Sequence, residues 1–363
     1  MKILVLVENY PNNDGGVTLM YVHTRNLYYK AHGMDVEVLN FSAEASYEKD
    51  GIPVITLKDY EEKEENVGKY DLLVLHAPNV RHHYKFLKRY GEKFEKFLFF
   101  YHGHEVLRLS TVYSKPYPYV SRSRVKEFLQ DCYDTFKLFV WRKYLPKVVN
   151  KSHFVFVSKW MYDEFLKHTK IPEAVIKDKS SITYNCVGET FEKGVYDENA
   201  QKEYDFVTVR GNLDGSKYSV DIVNRLAFQT PNAKFLLVGK GEFFNHNEKA
   251  PNIEWRNQTM GHKEIIEILQ KSRYALMPTR TDAQGLMMCE MGAFGIPVIT
   301  SDIPVCHEVF DGFENAYFID NDDKNANLDA FLDKPSKCKK DERFYKDRTI
   351  SRELELIEQI IKG

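Results

Sequence analysis

A series of short apolar runs, each ending at a polar or turn-forming residue, constrains this chain more than any other feature. The runs are KILVLV from Lys2, DLLVLH to His76, FLFFYH to His102, FVFVS to Ser158, DFVTVR to Arg210, KFLLVG to Gly239, YALMP to Pro278, PVITSD to Asp302 and AYFID to Asp320. Uninterrupted apolar runs of this length suit parallel strands covered on both faces. Between them lie helix candidates at Leu19–His32, Ser123–Asn150, Ser219–Gln229, His262–Ser272 and Leu286–Phe294; Pro146 is expected to kink or end the second early. Strand and helix in alternation predict an α/β, doubly wound parallel-sheet architecture. In such sheets ligands bind beyond the carboxyl ends of the strands. The polar residues that end the runs, His76, His102, Ser158 and Arg210, therefore predict a lined crevice.

At 363 residues the chain is too long for one ordinary core, which predicts two domains. The polar, weakly periodic stretch YNCVGETFEKGVYDENAQKEYD reads as the linker, giving domains 1–190 and 191–347. The last helix candidate, 348–363, is expected to pack back onto the first domain. A net charge of -2 gives no field for nucleic acid. The five cysteines show no CxxC and no metal spacing, so reduced thiols in a cytosolic protein are expected. The opening run is broken by Glu8 and Asn9, which fits a buried first strand better than a leader peptide. Arg81–Phe97 and Arg122–Lys151 mix Lys and Arg with aromatic residues. Each is read in two ways, as a helix lying on an anionic membrane surface or as a solvated helix with a buried apolar stripe.

The segment TDAQGLMMCEMGAFGIPVIT, Thr281–Thr300, carries the densest chemistry. It reads as loop, helix, then strand. Glu290 sits on a helix whose every other face is apolar, so it is predicted to be buried. A buried carboxylate is costly unless it accepts hydrogen bonds or meets a cation. The hydroxyls of a ribose would satisfy it; so would an internal Arg or Lys, and both readings stay open at this point. Asp282 lies in the loop as an acceptor for a second sugar or as a helix cap. The amides of Gly285, Leu286 and Met287 would open the helix and suit a phosphate.

This block resembles the retaining glycosyltransferases of family 4, which have the GT-B fold: an acid, seven residues, Glu, then Ala-Met-Ala-x-Gly-x-Pro-Val. Asp282 and Glu290 stand at the acid positions and MGAFGIPVIT follows. The first acid of the family is usually Glu, so Asp282 is one methylene shorter. The resemblance extends along the chain through MKILVLVENYPNNDGGV with Gly15 and Gly16, DLLVLHAP, FLFFYHG with His102, FVFVSKWM, ITYNCV, VRGNLDGSKYSVDIV, KFLLVGKGEF with Gly239 and Gly241, and WRNQTMGHKEI. In VRGNLDGSKYSVDIV Lys217 aligns with the family's Lys. The Arg position falls on Asn212, and Arg210 lies two residues earlier, on the same face of a strand.

The resemblance implies two Rossmann-like domains facing across a cleft, and retaining transfer of a sugar from a nucleoside diphosphate donor to an acceptor hydroxyl. The catalytic assignment is His102, Asp282, Arg210 and Lys217. Donor binding is assigned to Gly16, Gly241, Thr259, Met260, Gly285, Leu286, Met287 and Glu290. His102 is set either against the donor sugar or as a satisfied strand-end histidine. No metal and no cofactor are expected; the donor, a substrate, is UDP- or GDP-linked. Expected partners are the nucleotide-sugar, a saccharide or lipid-linked acceptor and an anionic membrane surface, with no nucleic acid. The expected location is cytoplasmic, peripheral on the inner face of the cell membrane, in surface polysaccharide or glycolipid assembly. Two other readings share the architecture: a nucleotide-sugar 2-epimerase, for which no convincing carboxylate set exists in the first half, and a non-catalytic nucleotide-sugar-binding subunit.

Overall fold

The computed structural model describes residues 1–13, 18–63, 70–121 and 123–362. Gly15 and Gly16 of the glycine pair, and Arg122, lie outside the described residues. The chain divides into two compact units, Met1–Leu109 with Leu129–Asn185 and Thr349–Gly363, and Ser110–Phe128 with Cys186–Arg348. The division at Asn185 falls inside the polar stretch read as a linker. Ser110–Phe128 goes with the second unit, which the sequence boundaries of 190 and 191 do not contain. Its polar groups explain this: Tyr117 Oη donates to Asp221 at 2.8 Å, Tyr119 Oη to Asp214 at 2.7 Å, and the Ser114 and Ser216 hydroxyls meet at 2.9 Å.

The first unit is built on an eight-stranded sheet of β1 (Lys2–Val7), β2 (Asp35–Asn40), β3 (Tyr47–Lys49), β4 (Ile52–Ile55), β5 (Leu72–His76), β6 (Phe97–Tyr101), β7 (Ser152–Phe156) and β8 (Ser180–Ile182). The spatial order is β3-β4-β2-β1-β5-β6-β7-β8, parallel except for β3 against β4. Continuous apolar sequence gives strands buried on both faces, as in β5 and β6, where every residue is buried. Aromatic rings fill the layers around β6 and β7: Phe99, Tyr101, Phe154, Phe156 and Phe165 are all inaccessible. The final helix, Lys346–Lys362, is tied in by charge. Arg25 of helix Met20–Ala31 meets Glu353 at 3.0 Å with both side chains fully buried, and Tyr29 Oη donates to Glu353 at 2.7 Å. Helix Arg124–Val148 runs through Pro146 instead of ending there. The proline sits in the last turn, where few hydrogen bonds depend on it.

The second unit has a six-stranded parallel sheet of β9 (Tyr204–Asn212), β10 (Phe235–Lys240), β11 (Ile253–Arg256), β12 (Ser272–Leu276), β13 (Val298–Ser301) and β14 (Ala316–Ile319), in the order β11-β10-β9-β12-β13-β14. Counted within the unit this is the doubly wound order, which reverses between β9 and β12 and places a crevice at their carboxyl ends. Phe206, Phe235, Leu237, Tyr274 and Leu276 supply its core. Helix Leu286–Phe294 has the bounds its sequence predicts, because a glycine in the left-handed region stands at each end: Gly285 at φ 75° and Gly295 at φ 104°.

Among the described residues no helix is long and apolar enough to cross a membrane.

Candidate active site

The residues singled out in the second unit gather at the reversal point of its sheet. Arg210 lies near the end of β9 and is buried. Its Nη2 donates to the Pro278 carbonyl beyond β12 at 2.7 Å. Its Nε is buried and has no partner among the described residues. Burial lowers the guanidinium pKa, and the Asp282 carboxylate opposes that shift. Asn212, where the resemblance expects Arg, accepts from the Asp214 amide at 2.8 Å and so shapes the turn after β9. Arg210 is therefore the cation near the end of this strand, tied by Nη2 to the loop beyond β12.

Lys217 follows in a short turn, Ser216–Tyr218. Both cations approach the Tyr218 ring, the Arg210 guanidinium carbon 5.4 Å and Lys217 Nζ 4.7 Å from its centroid. Tyr113 covers Lys217 from the segment before helix Arg124–Val148, at 5.6 Å. The Lys217 backbone is clamped by the loop after β12. The Arg280 amide donates to its carbonyl at 2.9 Å and Thr279 Oγ1 at 3.0 Å. Arg280 also forms a bidentate pair with Asp221, at 2.8 and 2.6 Å. The same loop then delivers Asp282, whose Oδ1 accepts from the Ala283 amide at 2.8 Å and, in a long Asx-turn contact, from the Gln284 amide at 3.5 Å.

Gly285 is the residue at which the loop becomes helix. Its φ of 75° favours glycine, and a Cβ there would come within 2.5 Å of Met288 Cε. The first amides of a helix have no carbonyl one turn earlier, so those of Gly285, Leu286 and Met287 can face an anion. One turn on, Glu290 is only 6 % exposed. Among the described residues its one hydrogen bond is from the Gly188 amide, at a long 3.4 Å, and no cation pairs with it. Burial pushes its carboxyl up to about 7, against the small opposing pull of that amide. Of the two readings left open by the sequence, the internal cation is absent among these residues.

The remaining residues that the sequence assigned to donor binding are less engaged. Gly241 lies at the end of β10, where a Cβ would come within 3.0 Å of both the Asp214 carboxylate and Leu213. At Gly239 a Cβ would sit 2.4 Å from the Arg210 carbonyl, so the strand can pass β9 only as glycine. Thr259 is exposed and Met260 half-buried in the loop after β11. The structure gives them no partner that fixes a role.

His102, in the first unit, follows β6 and is half-buried. Its Nε2 meets His76 Nδ1 at 3.1 Å, and the Tyr21 ring lies 4.8 Å away. Burial and the Arg25 guanidinium push both histidines well below the usual imidazole range. They form a neutral pair, in which one ring donates and the other accepts. Glu105, which the sequence reading passed over, holds this turn: its Oε1 accepts from the His102 amide and, at 2.9 Å, from the Gly103 amide. The spacing HGHE, a carboxylate three residues beyond a strand-ending histidine, was the available signal. Tyr113, Ser114, Tyr117 and Tyr119 were also missed. Their signal was a Tyr- and Pro-rich run, VYSKPYPY, in a place where neither strand nor helix periodicity applies. Among the described residues no cluster of His, Cys, Asp and Glu could hold a metal ion.

Comparison with known proteins bears on this geometry. Residues 206–333 match the family model described as glycosyl transferases group 1. The O-antigen chain mannosyltransferase RfbU of Salmonella typhimurium is 24% identical over 196 residues, 50% of this chain and 55% of that protein. The chain thus spans about half the length of the curated relative it matches. Two solved structures share the fold over nearly all of both chains. A glycosyltransferase from Rickettsia africae has a TM-score of 0.67 at 15% identity, covering 100% of this chain and 99% of its own. Sucrose-phosphate synthase from Thermosynechococcus elongatus has a TM-score of 0.67 at 14% identity, covering 99% and 94%. The two parallel-sheet α/β units are those of the GT-B fold. Residues 206–333, the stretch similar to glycosyl transferases group 1, carry Arg210, Lys217, Asp282 and Glu290.

Proposed function

We propose that the chain is a retaining glycosyltransferase of family 4 that moves a sugar from a nucleoside diphosphate donor, UDP- or GDP-linked, to an acceptor hydroxyl. The observation that carries this reading is Glu290, buried at the carboxyl end of the sheet with one weak amide donor. A ribose supplies the two hydroxyls such a carboxylate lacks, and donating to the ionised form lowers its pKa again. In this reading the cations meet the diphosphate. As the glycosidic bond to the donor breaks, negative charge grows on the leaving diphosphate. In this reading Arg210, whose Nε has no partner among the described residues, and Lys217 meet that charge, together with the amides of Gly285, Leu286 and Met287. Donors fixed in advance around a developing charge are commonly the largest contribution to catalysis. Asp282 accepts from the donor sugar's hydroxyls. His102, held neutral, contacts the sugar as a hydrogen-bond partner and not as a cation. This stabilisation needs no metal ion.

The acceptor is a saccharide or a lipid-linked saccharide in surface polysaccharide or glycolipid assembly, and the chain works on the cytoplasmic side, peripheral to the membrane. The relative RfbU, an O-antigen chain mannosyltransferase by name, supports a mannosyl donor as one to test. The test is a thermal-shift screen of nucleoside diphosphates and their sugars, followed by turnover with acceptor saccharides and NMR of the product's anomeric configuration. Stabilisation by one nucleotide and a product of retained configuration are expected. Stabilisation without transfer to any acceptor would favour a binding subunit, and epimerised sugar without acceptor would favour an epimerase.

A further inference from the structure

The 25-residue helix Arg124–Val148 buries one side and leaves the other open. Leu138, Trp141 and Leu145 face the core, with the ion pair of Asp134 and Lys137 at 2.8 Å beside them. On the opposite side Val125, Phe128, Leu129, Phe136 and Phe139 are 58% to 68% exposed. At about 100° per residue these five fall in one stripe roughly 100° wide, the width of an apolar face that ordinarily meets a core. Exposed Cys132 lies on the same stripe. So does exposed Lys143, while exposed Lys147 borders it at the carboxyl-terminal end. Exposed Arg124 and Lys126 stand at the other end and exposed Arg142 beside Lys143. None of the helix's three acids lies on the stripe: Asp134 is buried with Lys137, Asp131 is engaged by Arg108 at 3.8 Å, and exposed Glu127 lies on another face.

The charges select the occupant. If two copies paired through this stripe, in either direction, the cations of one helix would meet the cations of the other with no acid between them. An anionic lipid surface presents the opposite sign, and it accepts an apolar stripe to the depth of the acyl boundary. The other basic, aromatic stretch lacks this design: in Arg81–Phe97 the side chains of Phe86, Leu87, Tyr90, Phe94 and Phe97 are buried, so it is a solvated helix with a covered stripe.

We propose that the stripe from Val125 to Lys147 is the membrane-docking face, lying in the headgroup region of an anionic bilayer. This rests on the peripheral location proposed above and not on the sugar chemistry. The test is co-sedimentation of the full chain at low ionic strength with vesicles of phosphatidylcholine alone or mixed with phosphatidylglycerol. Binding to the mixed vesicles only is expected. Changing Phe128, Phe136 and Phe139 to Ser together, or Lys126, Lys143 and Lys147 to Gln together, is expected to weaken it by roughly a hundredfold. The nucleotide-induced thermal shift of each variant checks that it is folded. A spin label on Cys132, in a Cys338→Ser background, is expected to become shielded from a water-soluble relaxing agent when anionic vesicles are added. Recruitment without any nucleotide response would uphold the docking face while removing the donor reading. Failure of the mixed vesicles to recruit the protein, unchanged recruitment of both variants, or a dimer that the Phe variant dissolves would each overturn the proposal.

Discussion

Replacing Glu290 by Gln should make the ligand-free protein more stable and the liganded protein less so. The carboxyl is raised from 4.5 to about 7 by burial. In the pH range between those values the folded state holds a proton that the unfolded state has released, so stability falls as pH rises through this window. At about 1.36 kcal/mol per pH unit, the ionised carboxylate costs the fold on the order of 3 kcal/mol above pH 7. Gln is neutral, nearly isosteric and still offers an oxygen to the Gly188 amide. Urea unfolding of the ligand-free variant at pH 8 should therefore show a gain of up to ~3 kcal/mol, shrinking toward zero near pH 4.5. The same variant should lose most of its stabilisation by nucleotide, since its amide accepts hydrogen bonds less strongly than a carboxylate. A ligand-free variant that is less stable than the parent at pH 8, or a gain that does not depend on pH, would refute the claim that this side chain is a buried, unsatisfied acid.

Other consequences are checked more simply. Arg210→Met or Lys217→Met should lower kcat by ~10²–10³ while leaving the far-UV spectrum unchanged, because on the proposed function each removes one charge that meets the leaving diphosphate. Gly285→Ala should cost about 1–2 kcal/mol of stability by denaturant unfolding, since it forces a side chain into the left-handed region and against Met288, and should weaken nucleotide binding as well. Glu353→Ala leaves Arg25 buried without its carboxylate and should cost about 3–5 kcal/mol, whereas Arg25→Met with Glu353→Leu should recover most of that loss. His76 and His102 are held neutral below their usual range, so as pH falls below 6.5 the unfolded state takes up protons that the folded state does not. They therefore contribute a loss of stability on the acid side. His76→Phe should flatten the fall in Tm between pH 6.5 and pH 5, read by calorimetry.

Strands buried on both faces were legible because an uninterrupted apolar run has few other uses. β1, β5, β6, β9 and β10 announced themselves in this way. β2, β4, β8 and β11 did not. Asp35 and Glu37 break the run in β2, Pro53 interrupts β4, and β8 is a three-residue edge strand carrying two serines. In β11 the residues Glu254 and Arg256 pair with each other at 2.8 Å across an edge that sees solvent. The candidate site in the second unit was legible in its acids, because Glu290 stands alone in an oily helix, and less so in its supports. The Arg280 pair with Asp221 and the three tyrosine contacts join residues 59 to 104 positions apart, which no local pattern encodes. Arg25 with Glu353, 328 positions apart, is the extreme case. An arginine in a first helix of mixed polar and apolar residues gives no hint that it will be sealed against the last one.

The most direct measurement compares the affinity of ribonucleoside diphosphates with that of their 2′,3′-dideoxy counterparts, for the parent protein and for Glu290→Gln. Hydrogen bonds to a charged group are worth roughly 1.5–3 kcal/mol, so the parent should prefer the ribose by about ten- to a hundredfold. The variant should show little preference. An equal preference in both proteins, or none in the parent, would contradict the placement of the ribose on Glu290.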